Sequence, residues 1–489
     1  MDINININNA GKPLNTPWNF GINTCHAILW TRNDLQRHAK TAHEELGFRY
    51  VRFHNVISKH IDIYRENDNG EPVLNFQKFD EVFDNVIKNG YLPFFEIGFC
   101  PELLSQHTRE LCYYEADPSI PVSFEKWDIL IKKIISHCIV RYGVQCVRRW
   151  YFEVWNEPDL FYDGTKEDYF ELYDHTVLAV KSVDSSLRVG GPATSKCLWI
   201  DEFIAHIENG SKLSAGKPVP CDFISTHAYP SDIAFLDADY GDVELQESAT
   251  MKRLYSDVRS KMDASSLKDL PLIMGEWNSS AGPFAENHDE KNNAAFIVKI
   301  FGDLKDIIDG SLYWNLSDIY EEQGFHYIPF HGGYGLFNIN DIKKSSYYAF
   351  EILNRLKGKE IIPEYKGNGR VRTLAAHDCE KNVTRIILYY YREPGDTNCG
   401  TEIVCVNLTG FSSQTLRQSI YAVTDEGGSA YEWWQKIGSP QFVNDHILDY
   451  LKEKSMPVKH NEILFSRADR FSVHQSLVPG DCILIEIEQ

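Results

Sequence analysis

The chain has 489 residues, of which 43% are hydrophobic and 24% are charged, and its formal net charge is -21 at pH 7. This composition is typical of a globular protein with a large core and excludes a disordered chain. The negative field repels nucleic acids, anionic membranes and uronate-rich polymers, so it favours a neutral substrate. The length suits a barrel of about 250 to 350 residues with a second unit.

The N-terminal residues and the cysteines indicate the compartment. Met1 to Asn6 lack the basic and apolar regions of a secretory signal, and no apolar run approaches the roughly 20 residues that cross a bilayer. The 11 cysteines are an odd number without a CxxC pair, and most have apolar neighbours, as Cys138 and Cys405 do. Such cysteines are typical of reduced, buried thiols. We therefore expect a cytoplasmic protein with no membrane or nucleic-acid partner.

A repeated pattern occupies the chain from about residue 15 to residue 345, where short apolar runs alternate with longer stretches at helical spacing. Near-continuous apolar runs are typical of parallel strands that are buried on both faces. The sequence predicts eight such strands: Trp18 to Asn23, Phe48 to His54, Tyr91 to Gly98, Trp150 to Glu157, Arg188 to Thr194, Phe223 to Tyr229, Leu272 to Asn278 and Ser311 to Ser317.

Helical stretches separate these strands. Phe79 to Asn89 and Trp127 to Tyr142 each end just before a glycine, a common helix terminator. Further helices are predicted at Tyr169 to Val183, Asn293 to Ile308 and Tyr347 to Leu356. Strands that alternate with helices indicate βαβ units, and eight repeats predict an α/β fold of the TIM (β/α)8 barrel type. No GxGxxG or GxxxxGK[ST] motif follows the first strand, so a nucleotide-binding fold would lack its phosphate loop.

The pattern of apolar and polar residues changes after the last predicted barrel helix. Short alternating segments separated by turn residues predict an accessory antiparallel β-sandwich, with strands at Arg385 to Tyr391, Glu402 to Val406, Ser419 to Val423 and Ile483 to Glu488. A helical insertion is predicted at about Pro440 to Lys454. We place the catalytic barrel at residues 14–357 and the sandwich at residues 358–489, joined by an N-terminal strand within residues 1–12.

Polar residues collect where the predicted barrel strands end, which is where barrel enzymes carry their active sites. Glu157 follows the apolar segment FEVWN, and Glu276 lies near the end of the seventh strand. Desolvating a carboxylate is costly unless it is paired or protonated. Glycoside hydrolysis needs such a pair, because one carboxylic acid protonates the leaving oxygen while one carboxylate acts at the anomeric carbon. An alternative is that each glutamate forms a buried ion pair.

The ordered set of motifs resembles glycoside hydrolase family 39, in its β-xylosidase branch. The resemblance rests on FEVWNEPDL (152–160), FISTHAYP (223–230), GEWNS (275–279), EEQG (321–324) and HGGYGLF (331–337), which is followed by a lysine-containing start of a helix. The NEP motif alone is shared by many families, whereas the ordered set is specific. The resemblance spans essentially the whole chain, including the sandwich.

The resemblance implies a role for each catalytic residue. Glu157 would be the general acid and then the general base, and Glu276 the nucleophile of a retaining double displacement. Asn156 would hydrogen-bond the sugar 2-hydroxyl, a contact that strengthens in the transition state. His227 and Tyr229 would hydrogen-bond near the nucleophile and hold it ionised.

The remaining substrate-binding residues are also implied by the resemblance. Trp314 would form the platform under the reacting sugar, and His54 would line the same subsite. Glu321 or Glu322 would bind outer hydroxyls, and the sequence does not decide between them. Phe284 stands near a position where relatives carry a tyrosine, so it would leave one sugar contact without a hydroxyl.

The sequence therefore predicts a retaining, exo-acting β-xylosidase that acts on short neutral oligosaccharides without a cofactor or metal. Another sugar remains an alternative: arabinose, galactose, glucose or iduronate. The net charge of -21 argues against iduronate, which is anionic. A non-catalytic carbohydrate-binding barrel is a further alternative, which the presence of both carboxylates opposes. The oligomeric state stays open, with a homo-oligomer as one option.

Overall fold

A computed structural model describes residues 1–107, 109–231, 245–319, 326–467 and 470–489. In chain order, the strands are β1 (Asp2–Asn6), β2 (Gly21–His26), β3 (Tyr50–His54), β4 (Tyr64–Glu66), β5 (Pro72–Leu74), β6 (Leu92–Ile97), β7 (Tyr151–Val154), β8 (Arg188–Thr194), β9 (Phe223–His227), β10 (Leu272–Trp277), β11 (Gly310–Tyr313), β12 (Lys359–Ile361), β13 (Glu364–Lys366), β14 (Arg372–Asp378), β15 (Val383–Tyr389), β16 (Glu402–Thr409), β17 (Thr415–Val423), β18 (Val458–Phe465), β19 (Phe471–Leu477) and β20 (Cys482–Glu488).

The α-helices lie between the barrel strands and within the C-terminal part. They are α1 (Asn33–Leu46), α2 (Gln77–Lys88), α3 (Phe124–Tyr142), α4 (Val144–Val147), α5 (Lys166–Val183), α6 (Ile200–Asn209), α7 (Ala249–Asp263), α8 (Asn292–Leu304), α9 (Ser345–Arg355), α10 (Tyr431–Lys436) and α11 (Asp445–Ser455). Within the described ranges, no helix combines the length and the apolar character that crossing a membrane requires.

Eight parallel strands close into a barrel in the order β2-β3-β6-β7-β8-β9-β10-β11, and β11 pairs with β2. This architecture confirms the predicted TIM barrel, and each predicted barrel strand overlaps an observed one. The largest difference is at the first strand, where Pro17–Asn19 form a short 3₁₀ turn and the strand begins at Gly21. Proline at the first position of a helical turn fits this start, since its fixed φ suits helical geometry.

Local capping explains why two barrel helices begin where they do. The Ser123 side chain accepts a hydrogen bond from the Lys126 N–H at the start of α3. At α5, the Thr165 side chain accepts from the Asp168 N–H while the Asp168 side chain accepts from the Thr165 N–H. This reciprocal capping box satisfies two otherwise unpaired amides. Both helices therefore begin three residues before the apolar pattern alone indicates.

The barrel interior is arranged in layers, because every second residue of a strand points inward. Near the start of the strands, a cluster of mostly aromatic side chains fills the barrel: Phe20, Tyr50, Phe94, Tyr151, Phe223, Ile273 and Leu312. Two residues further along their strands come Arg52, Glu96, Glu153 and Ser225, all of them fully buried. The apolar layer closes the bottom of the barrel, and the polar layer supports the site above it.

The C-terminal part forms two sheets, in the orders β13-β1-β16-β19 and β12-β14-β15-β20-β17-β18. An apolar cluster lies between them and includes Ile3, Ile386, Val406, Val473 and Ile485. The accessory sandwich is thus confirmed, and the N-terminal strand β1 lies in its smaller sheet, where it pairs parallel with β16 and antiparallel with β13. The predicted helical insertion contains α11, which follows the shorter α10.

Candidate active site

A cavity of about 50 Å³ opens at the C-terminal end of the barrel strands. Its lining residues come from loops after at least five strands: His26, His54, Phe99, Leu111, Cys112, Ala116, Asn156, Glu157, Phe161, Tyr229, Glu276, Ala281, Trp314 and Tyr334. The predicted residues His54, Asn156, Glu157, Tyr229, Glu276 and Trp314 are therefore brought together here.

Glu157 and Glu276 face each other in this cavity. One carboxylate oxygen of each residue and a ring nitrogen of His227 all lie within 4.8 Å of one another. Glu276 lies in β10 at a shift in its register with β9, whereas Glu157 lies three residues beyond the end of β7. Trp155 (φ 69°) and Glu157 (φ 41°) have left-handed backbone conformations, which non-glycine residues adopt rarely. Such conformations are frequent at functional sites, where the surrounding structure holds them in place.

His227 lies between the two carboxylates. Its Nδ1 is 2.9 Å from Glu157 Oε1 and 3.9 Å from Glu276 Oε2. It therefore pairs with Glu157 and lies near Glu276 without a hydrogen bond to it, and its role in holding the nucleophile ionised stays a prediction. Its place in β9, between β10 and the loop after β7, explains this position. Tyr229 does contact Glu276, since its hydroxyl donates to Glu276 Oε1 at 2.7 Å.

A buried arginine beneath the two carboxylates was not assigned from the sequence. The Arg52 side chain is fully buried and donates from Nε to Glu153 Oε2 at 2.6 Å and from Nη2 to Asn156 Oδ1 at 2.9 Å. Its Nη1 lies 3.4 Å from Glu276 Oε2, and its Nη2 lies 3.2 Å from Glu96 Oε2. The sequence could have indicated this role, because an arginine within an apolar strand is a buried charge that needs partners.

His54 lies beside Glu276 and Trp314 at the cavity wall. Its Nδ1 forms a short contact with Glu96 Oε2, and its Nε2 lies 3.7 Å from Glu276 Oε2. The centre of its ring is 5.0 Å from that of Trp314. Burial, followed by the nearby Arg52 charge, holds the pKa of His54 well below its ordinary value. His54 is therefore a neutral wall residue that contacts Glu96.

Burial dominates the electrostatics of the site. It raises the pKa of Glu276 to about 7, and the Glu157 charge adds to this effect, while His227, Arg52 and the Tyr229 hydroxyl oppose it. Burial also raises the pKa of Glu96 to about 7 and lowers the pKa of His227 to about 4. Near neutral pH, Glu276 and Glu96 are therefore each protonated part of the time, and the Arg52 charge counteracts this at both carboxyl groups.

Among the predicted residues that the structure describes, His227 and Phe284 do not line this cavity. Phe284 is 41% exposed, and the centre of its ring lies 4.6 Å from that of His326, on a neighbouring cleft. Phe284 therefore does not line this cavity, whereas Tyr334 does, and the place of Phe284 near the sugar stays a prediction. Glu321 and Glu322 lie outside the residues that the structure describes. Tyr334 lies in the HGGYGLF motif, which the sequence analysis noted without predicting a function for this tyrosine.

The same cluster is the place where a metal could bind. The three facing atoms of Glu157, His227 and Glu276 are close enough to share one ion. Two of these atoms, however, already face each other at 2.9 Å in the contact between His227 and Glu157. A structural metal site usually offers four protein ligands. The prediction that the reaction uses no metal stays a prediction.

Nearly the whole chain is similar to known glycosidases. The model of "Glycosyl hydrolases family 39" matches residues 1–471. The chain is 36% identical over 482 residues to a beta-xylosidase of Caldicellulosiruptor saccharolyticus, covering 95% of each chain. It is 33% identical over 492 residues to a beta-xylosidase of Geobacillus stearothermophilus, covering 98% of this chain and 94% of that one.

Solved structures show the same architecture. The crystal structure of a monomeric beta-xylosidase from Caulobacter crescentus CB15 matches with a TM-score of 0.89 and 32% identity, covering 100% of this chain and 99% of that one. A more distant relative is an alpha-L-iduronidase of Mus musculus, 22% identical over 488 residues and covering 90% of this chain and 72% of that one. The chain belongs to glycosyl hydrolase family 39 and is a glycosidase that hydrolyses O-glycosyl bonds.

Proposed function

We propose that this protein is an exo-acting β-xylosidase that removes single sugars from short neutral oligosaccharides with retention of configuration. The observation that carries the retaining part of this proposal is the close approach of Glu157 and Glu276: one carboxylate oxygen of each residue lies within 4.8 Å of the other. Retaining enzymes hold their carboxyl groups about 5 to 5.5 Å apart, whereas inverting enzymes keep about 6.5 to 9.5 Å for a water molecule. The two relatives named beta-xylosidase support the choice of sugar.

In the first step, Glu276 attacks the anomeric carbon and forms a glycosyl-enzyme. The Tyr229 hydroxyl donates to Oε1, and the Arg52 guanidinium lies beside Oε2, so each carboxylate oxygen has one stabilising neighbour. Both neighbours favour the ionised form against the cost of burial. Glu276 is therefore oriented for attack, and these two contacts favour the ionised form in which it attacks.

Glu157 completes both halves of the reaction. It protonates the leaving oxygen in the first step, and its carboxylate then takes a proton from the water that hydrolyses the glycosyl-enzyme. His227 lies 2.9 Å from Glu157 Oε1 and is neutral, because burial lowers its pKa to about 4. A neutral imidazole accepts a hydrogen bond from protonated Glu157 or donates one to the ionised form, depending on its tautomer. His227 therefore suits both states of the acid/base.

Asn156 suits the recognition of the sugar 2-hydroxyl. Its Oδ1 accepts from Arg52 Nη2 at 2.9 Å, and because arginine only donates, this contact fixes which end of the amide faces the arginine. The Nδ2 donors then serve the sugar. Contacts to the 2-hydroxyl strengthen in the transition state of glycoside hydrolysis.

The cavity favours a neutral sugar over a uronate. None of the described residues that line it is a lysine or an arginine. An iduronate carboxylate would enter a buried site beside two glutamates without a facing cation, which is electrostatically costly. The same site suits a neutral pentose, and arabinose, galactose and glucose remain the alternatives. We also propose a cytoplasmic location, and the oligomeric state stays open.

Initial rates on nitrophenyl glycosides test the sugar. The panel contains β-xyloside, α-arabinoside, β-glucoside, β-galactoside and β-glucuronide. We expect the highest kcat/KM for β-xyloside, and no turnover of the glucuronide because no described residue that lines the cavity is a lysine or an arginine. A preference for another neutral sugar would overturn the xylosidase assignment and keep the glycosidase mechanism. Failure to turn over any of the five would contradict exo action on single glycosides.

Replacing Glu157 by alanine tests its role as the acid. Leaving groups of low pKa depart without proton donation, so Glu157→Ala should spare nitrophenyl xylosides far more than natural disaccharides. General acid catalysis contributes about 10²- to 10⁴-fold, which is the expected extra loss on the disaccharide. Rates of both substrates are compared in the variant and the parent. Equal losses on both would contradict the assignment.

Tyr229→Phe tests the electrostatics of Glu276. Burial raises the pKa of Glu276 to about 7, and the nucleophile works only when ionised, so kcat/KM falls as pH drops through that value. Removing the donating hydroxyl raises this pKa further, and the acidic limb should move up by about one pH unit. Tyr91→Phe is the matched control, because its buried hydroxyl donates to the distant Ala39 carbonyl. If the acidic limb of the kcat/KM profile stays at the same pH in Tyr229→Phe, the Tyr229 hydroxyl does not control the pKa of Glu276.

A further inference from the structure

The glycine-rich loop 332–335 lies against the cavity and packs too closely for larger residues. A Cβ atom at Gly333 would fall 2.4 Å from Asp318 Oδ1, and one at Gly335 would fall 2.4 Å from the Asp318 backbone nitrogen. Between these glycines stands Tyr334, whose ring lines the cavity. The loop is therefore fitted around Asp318.

A buried ionic cluster holds this loop from behind. Lys344, which precedes α9, places its Nζ 2.5 Å from Asp289 Oδ1 and 2.6 Å from Asp318 Oδ2. The three side chains are at most 1% exposed. The same Nζ donates to the Gly333 carbonyl at 2.8 Å. One lysine thus joins the loop after β10, the loop after β11 and the glycine-rich loop.

Both aspartates also bind the loop backbone directly. Asp289 Oδ2 accepts from the Gly332 N–H at 2.7 Å, and Asp318 Oδ1 accepts from the Gly335 N–H at 2.6 Å. The amides on either side of Gly333 and Tyr334 are thereby anchored to carboxylates that the lysine neutralises in part. Charge-assisted hydrogen bonds of this kind are about twice as strong as neutral ones.

The anchored loop is hydrogen-bonded to its surroundings through two groups of Tyr334. The Tyr334 hydroxyl donates to the carbonyl of Ala281, another lining residue, at 2.8 Å. The Tyr334 carbonyl accepts from Asn278 Nδ2 at 3.2 Å, and the same Nδ2 donates to the Trp314 carbonyl at 2.5 Å. The loop is thus tied both to Ala281 and to the strand end that carries Trp314.

We infer that Lys344 is a positioning residue for the glycosidase reaction: it fixes loop 332–335 and so sets the place of the Tyr334 ring in the cavity wall. Lys344 does not line the cavity, so it acts through Tyr334. A buried ion cluster is a poor source of stability, because apolar side chains of similar volume would serve as well or better. Its value lies in selecting one loop conformation. The inference rests on glycosidase activity and not on the choice of sugar.

A double-mutant comparison tests the inference on the best aryl glycoside. Lys344→Met should raise KM about ten-fold and change kcat less than about three-fold, because the wall contact serves substrate and transition state alike. In a Tyr334→Ala background, the same substitution should raise KM less than about three-fold, since the positioned ring is gone. The activity of the unmodified protein is measured first. If that protein is inactive, the proposed function fails; if it is active and Lys344→Met leaves KM unchanged, the inference about Lys344 fails.

Lys291→Met is the matched control. Lys291 Nζ is also buried between two carboxylates, Asp481 at 2.8 Å and Asp425 in a short contact, but Lys291 does not line the cavity. It should lower the melting temperature about as much as Lys344→Met and change KM less than about two-fold in either background.

A folded Lys344→Met variant with an unchanged KM overturns the inference. So does a Lys344→Met/Tyr334→Ala double variant whose KM increase equals the product of the increases in the two single variants. If Lys344→Met yields no folded protein by circular dichroism, Asp318→Asn carries the same test. It keeps the side-chain volume and leaves Asp289 paired with the lysine. A raised KM that depends on Tyr334 supports the inference, and a KM within two-fold of the parent overturns it.

Discussion

The Arg52 guanidinium is the contact on which the active site depends. It touches Glu153, Glu96, Glu276 and Asn156 and is fully buried. Three glutamates contact this one guanidinium, and burial penalises every unbalanced charge. Burial raises the pKa of both Glu276 and Glu96 to about 7. The Arg52 charge opposes this effect at both groups and so favours the ionised form that the nucleophile needs.

The barrel supplies this arrangement through the alternation of its strands. In β3, Tyr50 joins the aromatic layer, Arg52 the charged layer and His54 the cavity wall. In β9, Phe223, Ser225 and His227 follow the same order, and the Ser225 hydroxyl donates to Glu153 at 2.6 Å. Packing at the bottom therefore fixes the height and direction of the reacting groups at the top. A change in register by one residue would turn every one of these side chains out of the barrel.

Much of the fold could be predicted, because hydrophobic runs and helical spacing report burial directly. The eight barrel strands and the sandwich follow from that pattern. Glu157 and Glu276 could be identified because burying a carboxylate among apolar neighbours is costly, so its presence there indicates a function or an ion pair. The same reasoning applies to Arg52 and to Glu96 in FFEIGF, which shows that the signal was present but unused.

The parts that could not be predicted depend on loop conformation. His227 faces Glu157 because the chain turns through left-handed conformations at Trp155 and Glu157, and no periodic pattern encodes such a turn. Phe284 turns out toward His326, while Tyr334, held by a charge cluster distant in sequence, takes the place at the wall. Contacts between loops of different strands decide these positions.

The stereochemistry of the first product tests the central claim most directly. Proton NMR during the initial turnover of an aryl β-xyloside, or of the best β-glycoside, identifies the anomer that the enzyme releases before mutarotation. A double displacement through Glu276 predicts the β-anomer as the first product, with the α-anomer growing in later. Release of the α-anomer first would contradict the glycosyl-enzyme and the assignment of Glu276 as the nucleophile.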